Sequence, residues 1–170
     1  MMVWINNHRH PLLDQFFTAV TWAGSLAALL PLSMLVLGFL LYRGKAADAW
    51  LLGVGFGGAV LLAHLLKMVF GRPRPSLAPV LVPMPTDFSF PSAHMAQVTA
   101  FCLCLLIIFC RNQPGAIGVL FVILAAMLVG SVGYSRLYLQ VHFVSDVAAG
   151  FLFSAVWVTA AAFVIARLYR

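Results

Sequence analysis

The chain has 170 residues, of which 64% are hydrophobic and only 8% charged, and it carries a formal net charge of +6. With a mean hydropathy of +1.04 this is an integral membrane protein rather than a soluble domain. The length is that of one domain, residues 1–170. No soluble basic face or stacking motif accompanies the positive charge, so nucleic acid is not an expected partner; topology-setting loops and an anion site account for it instead.

Arg9 just ahead of an apolar stretch has the outline of a secretory leader. Asp14 and Gln15 interrupt it where the apolar centre should begin and no cleavage site follows, so a cleaved leader is not expected. The apolar stretch from Pro11 to Tyr42 is longer than the roughly 20 residues of one span and breaks at Gly24-Ser25. Pro11 suits a first helical turn. Leu12, Leu13, Phe16, Phe17 and Val20 recur at helical spacing with Asp14, Gln15, Thr18 and Thr21 between them, which predicts an interfacial helix over 11–23. The first span then runs from Leu26 to Tyr42, with a kink expected near Pro31.

A second span covers Ala46 to Phe70, where Gly53, Gly55, Gly57 and Gly58 predict a close-packing face. Gly53-x-Gly55 is not a nucleotide loop, because no strand precedes it. The proline-rich segment from Gly71 to Phe90 reads as an ordered loop outside the membrane. Ser92–Cys110, Ala116–Tyr134 and His142–Leu168 complete the spans. Cys102, Cys104 and Cys110 share one apolar run, so they are packing residues and neither a disulfide framework nor a zinc site. The fold class is all-α: a polytopic membrane bundle of about five transmembrane helices plus an N-terminal interfacial helix.

Arg43, Lys45, Arg111, Arg167 and Arg170 fall on one side of such a bundle, which the positive-inside rule makes cytoplasmic. Lys67, Arg72, Arg74, His94, Arg136 and His142 fall on the other. Charge beside a bilayer is costly, which makes these residues candidates for function.

Three constellations hold them. In Ser135-Arg136-x5-His142-x3-Asp146, the four-residue spacing puts His142 and Asp146 on one face if both are helical. A carboxylate on one imidazole nitrogen fixes the tautomer and raises the basicity of the other. That suits a histidine nucleophile attacking phosphorus, with Arg136 on the phosphate oxygens; taken alone, the pair reads equally as a helix-end ion pair. In Pro91-Ser92-Ala93-His94, Ser92 is a good N-cap above free amides, and His94 is close enough to protonate a leaving group. A plain cap with a surface histidine is the simpler reading of that tetrapeptide. Lys67 and Arg74 flank a turn and are suited to two phosphoryl oxygens, or to lipid headgroups. Arg72 fits a headgroup or a second phosphate, His64 a packed or supporting role, and Asp87 is left undecided.

Lys-x6-Arg-Pro, Pro-Ser-x-His and Ser-Arg-x5-His-x3-Asp, in this order, resemble the phosphatidic acid phosphatase type 2 (PAP2) superfamily over residues 60–150, with weaker likeness in His10-Pro11-Leu12-Leu13-Asp14. The resemblance implies His142 as a nucleophile forming a phosphohistidine, Asp146 as its partner, and His94 as the acid that later helps activate water. It implies phosphate contacts from Lys67, Arg74, Ser92, the amide of Ala93 and Arg136, and no metal or cofactor. Ala93 departs from the glycine common at its position, although its amide still donates. The chain also looks to lack the first helix of the common six-helix form, as in short bacterial undecaprenyl diphosphate phosphatases. That likeness makes undecaprenyl diphosphate the leading expected substrate, in a bacterial cytoplasmic membrane with the site facing outward. Phosphatidylglycerophosphate, other lipid phosphates and phosphoryl transfer to another lipid stay open. A non-enzymatic anion binder or transporter would more often place its charges near the bilayer midplane. The expected partners are the lipid phosphate substrate and membrane lipids.

Overall fold

The computed structural model describes residues 2–76, 82–111 and 115–169. Arg170, one of the cations used to orient the bundle, lies outside them. The described residues form seven helices in chain order: α1 (Met2–Asn7), α2 (Pro11–Ala23), α3 (Leu26–Tyr42), α4 (Ala46–Phe70), α5 (Ala93–Cys110), α6 (Ala116–Tyr138) and α7 (Val144–Leu168). No strand occurs among the described residues.

The break at Gly24-Ser25 is a two-residue joint. Ser25 caps α3, its Oγ accepting from the Ala28 amide at 3.2 Å and donating to the Trp22 carbonyl at 2.7 Å. Helices α2 and α3 meet with a 41° bend. Pro31 lies inside α3 without ending it. Helices α4 to α7 are each long and apolar enough to cross a bilayer, and the bent α2–α3 pair makes a fifth span if taken together. On its own α3 has 17 residues, at the short end of what a bilayer needs.

Helices α4, α5 and α7 pack against one another, α6 packs on α5, α2 on α6, and α3 on α4. Close approach explains two of the four glycines of α4. A Cβ at Gly55 would sit 2.6 Å from Cys104 Sγ, and one at Gly58 would sit 2.4 Å from the Trp157 ring. Gly53 and Gly57 have nothing within 4 Å. The packing face is therefore a pair three residues apart, while the other two glycines line an open groove beside α3. Gly150 of α7 is tighter still, since a Cβ there would lie 2.7 Å from the Ser92 carbonyl oxygen. That contact brings the start of α7 against the start of α5, where the polar constellations meet.

Two helix ends differ from the sequence reading. Helix α6 continues to Tyr138, so Ser135 and Arg136 belong to its last turn. Ser135 Oγ bonds back to the Val132 carbonyl at 2.6 Å, which satisfies the hydroxyl without leaving the helix. Helix α7 starts at Val144 after an extended Phe143, so His142 precedes the helix. Gln140, with φ +61°, reverses the chain between the two. His142 and Asp146 therefore do not share a helical face. Asp146, in the first turn, accepts from the Phe143 amide at 2.8 Å, and His142 reaches it across that cap.

Candidate active site

At the end of α4, Gly71 adopts φ +54° and its amide closes on the Lys67 carbonyl at 3.0 Å. A left-handed glycine ends the helix there and sends the chain back across its own last turn. Lys67 thus stays in the final turn while Arg74 returns beside it. Their side chains are 4% and 8% exposed. Lys67 Nζ donates to the Phe88 carbonyl and sits 2.8 Å from Asp87 Oδ2. Arg74 donates from Nε to the Asp87 carbonyl (2.9 Å), from NH1 to the Val141 carbonyl (2.8 Å), and from NH2 to Asp87 Oδ1 (2.5 Å). Its NH1 also lies 3.3 Å from His142 Nε2. Burial alone would raise the Asp87 carboxyl, but the hydrogen bonds from Lys67 and Arg74 override it and hold the group down at about 2.

His142 is almost wholly enclosed. A guanidinium only donates, so the Arg74 contact fits the tautomer with a lone pair on Nε2 and the proton on Nδ1. Nδ1 faces Asp146 Oδ2 at 3.4 Å, a long contact rather than a tight hydrogen bond. Burial pushes the His142 imidazole down to about 4; the Asp146 contact opposes this, and the nearby Arg136, Arg74 and Lys67 cations add to it. The ring is neutral near pH 7.

Asp146 is fully buried and held on every side. Oδ2 accepts from the Phe143 amide and from Ser89 Oγ, and Oδ1 accepts from Arg72 NH1 at 2.7 Å. The same NH1 reaches Ser145 Oγ at 2.7 Å, and the guanidinium stacks 4.2 Å over the Phe143 ring. Arg136, buried at the end of α6, donates to Thr21 Oγ1 of α2, and its Nε has no partner among the described residues. The α2–α6 contact is held at the same level by Tyr138, whose hydroxyl donates to Asp14 at 2.6 Å.

These groups surround a pocket of about 190 Å³. Lys67, Arg74, Ala93, His94, Arg136 and His142 all line it, with Asp87 between the first two and His64 at its exposed edge. Asp146 sits behind His142. Ser92 is buried outside the lining and acts as the cap of α5, its amide bonded to the Asp146 carbonyl at 3.0 Å. Arg72 also lies outside the lining, turned onto Asp146. Sequence reasoning missed Ser89, Thr21 and Gln97. Gln97 lines the pocket one turn after Ala93, its Oε1 buried and without a partner among the described residues. Its signal was a polar residue in an apolar span. Ser89 and Thr21 carried none that separates them from ordinary loop and interface residues. A larger cavity of about 530 Å³ lies between α4 and α7 near Trp50 and Trp157. Its lining carries no cation and no histidine.

Residues 48–170 match the family model described as the PAP2 superfamily. The chain belongs to that superfamily. It is an integral membrane phosphatase of the PAP2 type, as its apolar helices and relatives agree. Phosphatidylglycerophosphatase B of Bacillus subtilis (strain 168) is 32% identical over 145 residues, 84% of this chain and 70% of that protein. Undecaprenyl-diphosphatase of Sulfolobus acidocaldarius is 33% identical over 110 residues, 62% of this chain and 49% of that protein. Among solved structures, a transmembrane PAP2-type phosphatidylglycerolphosphate phosphatase from Bacillus subtilis superposes with a TM-score of 0.82 at 29% identity, covering 98% of this chain and 81% of that one. LpxE of Aquifex aeolicus superposes with a TM-score of 0.72 at 30% identity, covering 94% and 91%.

Proposed function

We propose that this PAP2 protein hydrolyses a lipid phosphate monoester through a phosphohistidine on His142. The observation that carries the reading is one buried histidine with a carboxylate at Nδ1 and a cationic pocket at Nε2. In the proposed first step, the His142 Nε2 lone pair attacks phosphorus and the P–O ester bond breaks. Lys67, Arg74, Arg136 and the Ala93 amide stabilise the charge that builds on the phosphoryl oxygens. His94, protonated by the proton that enters with the anionic substrate, gives that proton to the departing alkoxide. In the second step His94 takes a proton from water, whose oxygen attacks the phosphohistidine and releases inorganic phosphate. Asp146 offsets the positive charge on His142 while the intermediate exists.

A lipid substrate is supported by an apolar groove between α3 and α4, lined by Leu30, Met34, Gly53 and Gly57, which shares Leu26 with the cationic pocket. A chain bound in that groove would carry its headgroup to the phosphate clamp. The monoester is preferred to a diphosphate because Arg72, the cation free on paper for a second phosphate, is engaged by Asp146. Phosphatidylglycerophosphate thereby moves ahead of undecaprenyl diphosphate, in line with the longer match to the Bacillus subtilis relative. Arg43, Lys45, Arg111 and Arg167 lie at the far end of the helices from the pocket, which favours a site on the outer face of a bacterial cytoplasmic membrane.

The test is phosphate release by the purified protein in detergent from phosphatidylglycerophosphate, phosphatidic acid and undecaprenyl diphosphate. The two monoesters should be cleaved with the higher kcat/KM. His142→Ala should bind them without turnover, and acid-labile phosphate should be trapped on the wild-type protein only. Turnover retained by His142→Ala would remove the nucleophile from this scheme, and a clear preference for the diphosphate would restore the second reading.

A further inference from the structure

We propose that Asp87 is a built-in competitor for the phosphate clamp, a carboxylate that occupies Lys67 and Arg74 until the substrate's phosphoryl group displaces it. The inference rests on the reading of those two cations as phosphate ligands. Asp87 spans them with separate oxygens, Oδ2 at 2.8 Å from Lys67 Nζ and Oδ1 at 2.5 Å from Arg74 NH2. Two oxygens bridging two cations is the contact that a phosphoryl group would make in the same place. The other Arg74 contacts are to the carbonyls of Asp87 and Val141, to His142 Nε2 and, at 3.5 Å, to the Phe88 carbonyl, so a second anion would have to displace one of these as well.

Only one member of this cluster is free to leave. The cations are 4% and 8% exposed, whereas the Asp87 side chain is 48% exposed. The Asp87 and Phe88 carbonyls anchor the loop to Arg74 and Lys67 independently of the carboxylate. Rotation of one side chain into water therefore clears the clamp without moving the backbone. Two buried cations side by side would be unfavourable without an anion, and Asp87 supplies one in the resting state. Exchange then swaps one anion for another, and the site never presents bare cations to the bilayer surface. The tethered carboxylate also sets a threshold that weakly held anions do not cross, and it reclaims the cations as inorganic phosphate departs.

The threshold has a distinctive signature. Displacing the carboxylate has the same cost whatever enters, so removing it should tighten different anions by the same factor. Inorganic phosphate and sulfate would each be titrated calorimetrically into the full-length protein in detergent, for wild type, Asp87→Asn, Asp87→Ser and Asp87→Glu. Loss of two charge-assisted contacts from the competitor should tighten both anions by about tenfold or more in Asp87→Asn and Asp87→Ser, while Asp87→Glu stays near wild type. Thermal unfolding in the same detergent identifies which variants are folded, and either neutral variant suffices. Weaker or unchanged binding in the neutral variants would overturn the proposal, since the carboxylate would then be organising the cations or standing clear of them. A gain restricted to the more highly charged anion would overturn it too, by pointing to repulsion at a distance. Because binding is read without turnover, this result stands apart from the hydrolysis test. Absence of lipid hydrolysis with both anions tightened removes the reaction and keeps the competitor, whereas phosphate binding insensitive to Lys67→Ala removes the clamp itself.

Discussion

Two carboxylates meet the cations of this site, and they are held in opposite ways. Asp146 is buried, fixed by a backbone amide, a serine hydroxyl and Arg72, and stands behind the histidine. Asp87 is half exposed on a loop, and the cations it touches are the ones facing the pocket. The same functional group thus serves as a fixed support in one place and an exchangeable counter-ion in the other. What separates them is the number of independent anchors and the access to water. Four groups approach Asp146 from three segments of chain, and the side chain has no exposure to water. Among the described residues the Asp87 carboxylate meets only the two cations, and it is open to solvent.

Substitutions that remove charge should therefore act in opposite directions at the two positions. The largest effect is expected from Asp146→Asn, which keeps the shape but loses the charge opposite Nδ1; kcat should fall by roughly a thousandfold or more, as when other carboxylate–histidine pairs lose their carboxylate. Measured with the same substrate, a loss confined to KM would place Asp146 in binding instead. Arg72→Ala should follow, lowering kcat by about ten- to a hundredfold, the usual cost of losing a group that orients a primary ligand. Arg72→Lys should recover part of this because it keeps the charge but not the planar fork. An effect on KM alone would return Arg72 to the substrate.

Gly150→Ala tests the backbone contact under Asp146. A methyl group 2.7 Å from the Ser92 oxygen forces α5 and α7 apart, at a cost of about 1–3 kcal/mol. It should show as a lower unfolding temperature in detergent together with reduced turnover, and an unchanged melting curve would mean the helices part easily. The smallest effect is one of titration. An imidazole NMR titration should find His142 neutral through its ordinary value of 6.5 and protonating near 4, free of the substrate's own ionisation near pH 6. The sign follows from the lowered value: below 6.5 the unfolded chain takes up a proton that the folded one refuses. Stability contributed by the neutral ring is therefore present above 6.5 and declines as pH falls toward 4. Titration near 6.5 in the folded protein would mean that burial and the Lys67, Arg74 and Arg136 cations together do not outweigh the Asp146 contact on this ring.

Much of the architecture was legible because bilayer length and hydropathy leave few options. The boundaries of α3 and α4 match the sequence reading to the residue, and those of α2 follow from Pro11 and Gly24. Where reading stopped short, a polar residue had two ways to satisfy itself. Ser135 and Arg136 looked like loop, yet the serine hydroxyl turns back onto the helix and Thr21 receives the guanidinium. His142 and Asp146 looked like helical neighbours, yet the aspartate caps a helix that begins after the histidine. Among the four glycines of α4, spacing alone does not say which two face a partner.

Order, spacing and residue type in the sequence were enough to name the superfamily, the class of fold and the residues of greatest chemical interest. These properties are local, or follow from a bilayer that imposes its own geometry. Only the tertiary structure decided what each charge is paired with. Arg72 turned to Asp146, and Asp87 came to rest between Lys67 and Arg74. Charges pair with whatever partner folding delivers within a few ångströms. Of these pairs Asp87 and Lys67 lie 20 positions apart, and Arg72 and Asp146 lie 74 apart.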